Sequence, residues 1–195
     1  MKKAYLIFIL VAIITGTVFG TTFVLGSENS GEEQNYSIRV VATIPTQLEF
    51  ARAVGGEKVK VSSMIPPGEE PHGYTPVSSQ LRDLSKADLY FKVGSGVEFE
   101  RRWMDTILEK NPDMKVVDGS EGISLIGMGS QNGQDKAESG EYKTDPHVWL
   151  SLNNAKIMVR NLLKGMKNVD PNNASYYERN AESYLDNLNE LDREI

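Results

Sequence analysis

Residues 38–65, IRVVATIPTQLEFARAVGGEKVKVSSMI, read as strand, helix, strand. The first seven, IRVVATI, are apolar and β-branched apart from Arg39 and Thr43, as a strand buried on both faces should be, and Pro45 closes the run. Leu48, Ala51 and Val54 follow at helical spacing until Gly55-Gly56. Residues 59–65 (VKVSSMI) alternate like a second strand and stop at Pro66-Pro67-Gly68, a turn cluster.

The same rhythm continues outward. Ser79 is placed to cap a helix with Leu81, Leu84 and Ala87 on one face. Residues 89–93 (LYFKV) form a third strand, and residues 99–110 a helix with Trp103, Ile107 and Leu108 inward. Residues 115–117 (KVV) open a fourth strand. Short strands alternating with helices predict an α/β fold, a mostly parallel sheet of about four strands with helices on both faces. Residues 127–143 (GMGSQNGQDKAESGEYK) lack apolar anchors and read as a mobile surface loop. Ser151 caps an amphipathic helix bearing Ala155, Met158, Val159, Leu162, Leu163 and Met166. Asp170-Pro171 starts the last helix. Its stripe of Tyr177, Ala181, Tyr184, Leu188, Leu191 and Ile195 is still running at the final residue, as in half of a longer element.

Both histidines of the chain end the same tripeptide, in Glu70-Pro71-His72-Gly73-Tyr74 and Asp145-Pro146-His147-Val148-Trp149. Proline stiffens each loop entry, and imidazole is the commonest ligand for transition metals. In open α/β sheets ligands bind beyond the carboxyl ends of the strands. His72 follows the second strand and His147 the fourth, so both are placed to reach one sheet edge. They are the candidate metal ligands, with Zn(II), Mn(II) or Fe(II) suited to neutral imidazole. Glu70 and Asp145 are the candidate partners that orient the rings. Glu69, Glu70 and Asp145 are otherwise read as direct ligands or as solvated loop charges. Tyr74 is a candidate hydrogen-bond donor at the site, or else a loop aromatic packed on the domain. Trp103 is assigned to the core, and Trp149 is expected to wedge its loop against it.

Composition narrows the class. A net charge of −6 and no Lys/Arg-rich run argue against nucleic acid as a partner. The absence of cysteine removes disulfides, thiolate metal sites, a cysteine nucleophile and a lipidated cysteine. No His-Glu-x-x-His, Gly-x-Ser-x-Gly or phosphate-binding glycine loop is present, so no enzyme activity is expected. A metal-dependent hydrolase would need a positioned carboxylate base as well. Lys2-Lys3 and the uncharged residues 4–25 fit either a cleaved secretory signal or an uncleaved membrane anchor. Either one places the rest outside the cytoplasm, secreted, periplasmic or on the cell surface.

Several blocks carry a family resemblance: Val41-Ala42-Thr43-Ile44-Pro45, Val54-Gly55-Gly56-Glu57-Lys58-Val59, residues 66–76 around His72, Leu84-Ser85-Lys86-Ala87-Asp88-Leu89, residues 145–150 around His147, and Tyr176-Tyr177. In this order the chain from about residue 38 onward resembles the extracytoplasmic metal-binding proteins of zinc/manganese-type ABC importers. The resemblance implies two α/β lobes joined by a long rigid helix, with the metal between them. It makes His72 and His147 the two ligands of the N-terminal lobe, and assigns a histidine or glutamate and then an acid to a C-terminal lobe. It implies Zn(II) or Mn(II) as the transported ligand and a membrane ABC permease as partner. The organisation expected is residues 1–27 as signal peptide or anchor, 28–37 as polar linker, 38–169 as the metal-binding lobe and 170–195 as the start of the linking helix. On this reading the C-terminal lobe is absent, and the chain is a fragment or the product of a split gene. The alternative is a surface-tethered interaction or adhesin half-domain whose exposed helix binds a partner supplying the missing lobe. Many zinc-type members have a His-rich loop where residues 127–143 have no histidine, which points away from a specialised zinc collector. A two-histidine site completed by water is expected to be weak and unselective.

Overall fold

Two strands buried on both faces form the centre of the sheet: β1 (Ile38–Ala42), where only Arg39 is exposed, and β3 (Leu89–Lys92). They are flanked by β2 (Val59–Ser63) and β4 (Lys115–Asp118), whose burial is lower, as at the edges of a sheet. All three pairings are parallel, in the order β2-β1-β3-β4. The computed structural model describes residues 36–127 and 144–194. The signal or anchor segment, all but the last two residues of the polar linker, residues 128–143 of the expected mobile loop and Ile195 lie outside the described residues.

The connecting helices are α1 (Pro45–Gly55), α2 (Ser78–Leu84) and α3 (Glu98–Lys110), followed by α4 (Leu152–Val169) and α5 (Ala174–Glu194). The chain steps from β1 outward to β2, then crosses back to β3 and on to β4. Parallel crossovers are right-handed, so opposite directions of travel put α1 on one face and α2 and α3 on the other. The packing agrees: α1 meets α4 and α5, whereas α2 meets α3. The α/β architecture expected from the sequence is the one observed.

Local differences have physical reasons. β1 ends at Ala42, because the N–H of Ile44 turns to the Gln47 side chain at 3.2 Å and Pro45 takes the first helical position. Ser79 does not cap α2. Val77 stands at that position, and its N–H donates to Gln80 Oε1 at 2.9 Å. Leu108 is 40% exposed instead of inward, and Trp103 is only partly buried against the core. Ser151 caps α4 as expected, its hydroxyl accepting from the N–H of Asn154 at 3.5 Å. Between Asp170 and α5 lies a 3-10 turn, Pro171–Asn173. Of the α5 stripe, Tyr177, Ala181 and Leu188 are buried, Tyr184 is half-buried and Leu191 is 43% exposed.

The helix α5 is fixed at several points. Asp170 accepts hydrogen bonds from Tyr177 and from the Asn173 amide, both at 2.7 Å. Burial and the adjacent Asp170 push the Tyr177 phenol well above its ordinary pKa. Lys156 pairs with Asp192 at 2.8 Å, Lys167 pairs with Glu178, and Asn180 donates to the Val54 carbonyl at 3.0 Å.

The helix α4 crosses β4 at Gly165, where an added Cβ would lie 2.2 Å from Val117 Cγ2. Alanine at a mid-helix glycine ordinarily gains about 1 kcal/mol, but overpacking against a stiff β-branched neighbour costs ~1–3 kcal/mol. Gly165→Ala is therefore expected to lower the free energy of unfolding in urea, by up to ~2 kcal/mol. Combining it with Val117→Ala, which opens the space, should cost less than the two single changes added together.

Candidate metal centre

His72 sits in the long connection from β2 to α2. Gly68 and Gly73, with φ of 88° and 79°, make turns there that other residues resist. Gln80 clasps this loop: its Oε1 accepts from Tyr74 at 3.1 Å and from Val77 N–H at 2.9 Å, while its amide donates to the Met64 carbonyl at 2.8 Å. From α3, Trp103 Nε1 donates to the Tyr74 carbonyl at 3.2 Å. Tyr74 thus spends its hydroxyl on Gln80 and packs its ring 6.2 Å from Phe99. The His72 ring does not turn to Glu70. Glu70 Oε1 meets only the main-chain N–H of His72, at 3.4 Å, and Nδ1 lies 3.0 Å from Oε2 of Glu98 at the start of α3.

His147 is held differently. The Asp145 N–H donates to the Ile126 carbonyl at 2.8 Å, beside a bridge between Gly127 and Thr144. Asp145 Oδ1 then accepts both from the main-chain N–H of His147 at 2.9 Å and from its ring Nδ1 at 2.8 Å. The indole of Trp149 lies 5.3 Å from the imidazole, and Val148, 7% exposed, anchors the following 3-10 turn in the core. The carboxyls of Glu98 and Asp145 are both held below the usual range. For Glu98 the chief cause is the His72 hydrogen bond; for Asp145 it is the His147 main-chain N–H, followed by the ring.

The two loops meet on one short segment. The order β2-β1-β3-β4 puts the topological switch point between β1 and β3. The connection after β3 runs Val93-Gly94-Ser95-Gly96-Val97 into α3. Ser95 donates its hydroxyl to the Pro146 carbonyl at 2.6 Å, and its own carbonyl accepts from Thr144 at 3.0 Å. Three residues later Glu98 takes His72. The spacing from Ser95 to Glu98 is at most ~10 Å, so the two histidine loops share one edge of the sheet, as the sequence predicts.

Glu100, 6% exposed, anchors this segment from beneath. It accepts from Thr43 at 2.6 Å, from Val93 N–H at 2.6 Å and from Gly94 N–H at 2.9 Å. Because Thr43 donates its only hydroxyl proton to Glu100, the Tyr90 hydroxyl 2.9 Å away must donate to Thr43. Burial pushes the Glu100 carboxyl above its ordinary range. Ser95, Glu98 and Glu100 escaped sequence reasoning. The signal that would have found them is their position in the loop after the third strand and the first turn of the helix it enters, where the carboxyl-edge rule applies. Among the described residues, no three His, Asp or Glu side chains converge on one point.

Residues 40–195 match the family described as zinc-uptake complex component A, periplasmic (ZnuA). The chain belongs to the ZnuA family. It is 32% identical over 201 residues to the manganese ABC transporter substrate-binding lipoprotein ScaA of Streptococcus gordonii, covering 100% of this chain and 60% of the relative. A crystal structure of ZnuA superposes with a TM-score of 0.72 at 33% identity, over 81% of this chain and 58% of that one. The Mn-bound periplasmic metal binding protein from Candidatus Liberibacter asiaticus gives a TM-score of 0.67 at 25% identity, over 77% and 52%. The chain spans about 60% of the length of the curated relatives it matches. ZnuA-family proteins are extracytoplasmic solute-binding components, and this chain has the α/β lobe of the solved members.

Glu100 is the point at which this family lobe is open to a stability test. In Glu100→Gln the amide would oppose main-chain donors, so we expect a loss of ~1–3 kcal/mol in urea unfolding at neutral pH. The wild-type carboxyl is raised on folding, so its stabilising contribution is complete below the unfolded value of 4.5. It is lost as the pH climbs through the higher folded value. The stability gap between wild type and Glu100→Gln should therefore narrow as the pH rises across that window.

Proposed function

We propose that this chain binds a divalent transition metal, Zn(II) or Mn(II), outside the cytoplasm for delivery to the membrane permease of an ABC importer. His72 and His147 are the ligands it contributes. One observation carries the reading: each imidazole has its Nδ1 on a carboxylate, at 3.0 Å and 2.8 Å, leaving Nε2 without a hydrogen bond among the described residues. A carboxylate only accepts, so Nδ1 carries a proton, and in the neutral ring Nε2 then carries the lone pair a metal needs. In this arrangement Asp145 orients its ring and does not ligate. Tyr74 has no part in coordination.

The protein is a carrier and not an enzyme, because capture and release require ligands and no group that attacks the cargo. Further ligands belong to the part of the relatives that this match does not reach. Residues 1–27 direct export. They do so either as a cleaved signal or as an uncleaved anchor, the latter taking the place of the lipid attachment that the curated lipoproteins have by name.

Calorimetric titration of the full chain with Zn(II) and Mn(II), beside His72→Ala and His147→Ala, tests the site. For a nitrogen-based site Zn(II) should bind more tightly than Mn(II), and each substitution should abolish measurable binding of both. Titrations of the variants that match wild type would remove the proposed site.

A further inference from the structure

The acid that meets the His72 ring comes from another loop, 26 residues along the chain. We propose that Glu98 is a positioning residue that fixes the tautomer and orientation of His72, holding the ring proton on Nδ1 so that Nε2 faces the metal. This deepens the metal-binding reading and rests on it.

The carboxylate is itself oriented. Oε2 takes the ring, while Oε1 faces the guanidinium of Arg102 at 3.8 Å, one turn further along α3. Glu98 also occupies the first turn of that helix, where the dipole favours a negative charge. The backbone leading to it is secured by the Glu100 hydrogen bonds to Val93 and Gly94 and by the Ser95 contacts to Thr144 and Pro146. Glu70 does not take this place: its Oε1 lies 3.4 Å from the main-chain N of His72. The His72 ring therefore takes its orientation from the same segment that holds the His147 loop, so both ligands share one reference frame.

The chain has only two histidines, so ring nitrogen NMR of the full chain is directly readable, and His147→Ala leaves His72 alone. With metal absent and the ring neutral, wild type should show a protonated Nδ1 on His72. Glu98→Ala should shift the proton to Nε2, the form favoured in free imidazole side chains, and weaken Zn(II) binding by ~10–100-fold in calorimetry. Glu98→Gln keeps an accepting oxygen and should restore the Nδ1–H form. A His72 ring unchanged in Glu98→Ala overturns the proposal, as does a changed ring with unchanged Zn(II) affinity. If His72→Ala binds metal like wild type, the metal site itself fails and this inference goes with it. That result is distinct from one in which His72→Ala loses binding while Glu98→Ala keeps it.

Discussion

The carboxylate of Glu100, buried between the ends of β1 and β3, is the constraint on which the site depends. Parallel strands end with their main-chain groups pointing into the crevice above the sheet, and those groups need partners there. Glu100 collects two main-chain N–H groups from the end of β3 and the hydroxyl of Thr43 from the end of β1. Burying a carboxyl costs free energy, and the upward shift of its pKa records that cost. In return the connection through Gly94 and Gly96, both at positive φ, acquires a fixed path into α3. Contacts to both histidine loops start from this connection, through Ser95 and, just beyond it, Glu98.

A fixed path matters because a metal site is only as good as the placement of its donors. Each imidazole here has two nitrogens, and an unpartnered ring on a half-exposed loop would divide its time between tautomers and rotamers. Hydrogen bonds between exposed groups contribute little to folding. Their effect is on which nitrogen is presented and in which direction. The loops are secured separately, by Gln80 and Trp103 around His72 and by Asp145 and Ser95 around His147. The segment from Ser95 to Glu98 gives the two loops a common support.

Much of the fold was legible because it rests on patterns with a single solution. The apolar runs at residues 38–44 and 89–93 read as strands and became the two central ones, shortened to Ala42 and Lys92, and the α4 stripe read as an amphipathic helix. The histidines were legible through their shared tripeptide, yet the tripeptide hid a difference. Asp145 and Glu70 each precede a histidine by two residues, but the shorter aspartate folds back onto both the main chain and the ring, as Asx turns do. One methylene more takes the Glu70 carboxylate past that geometry, and the ring turns to Glu98 instead. Ser79 failed as a cap for a similar reason. Gln80 already satisfied the start of α2 while tying down Tyr74 and Met64, a choice made by tertiary contacts that no local pattern contains.

His147 lies close in the chain to the long helices. Only the 3-10 turn Val148–Leu150 and the cap Ser151 separate it from α4. Helix α4 lies against β4 so closely that Gly165 admits no side chain, and against α5 through the Lys156–Asp192 and Lys167–Glu178 pairs. The Asp170–Tyr177 hydrogen bond, buried at the junction, sets how the second helix leaves the first. A displacement of α5 would therefore have to repack α4 against the sheet, because close-packed interiors do not deform smoothly. His147 and helix α5 are accordingly joined through one continuous run of packed contacts.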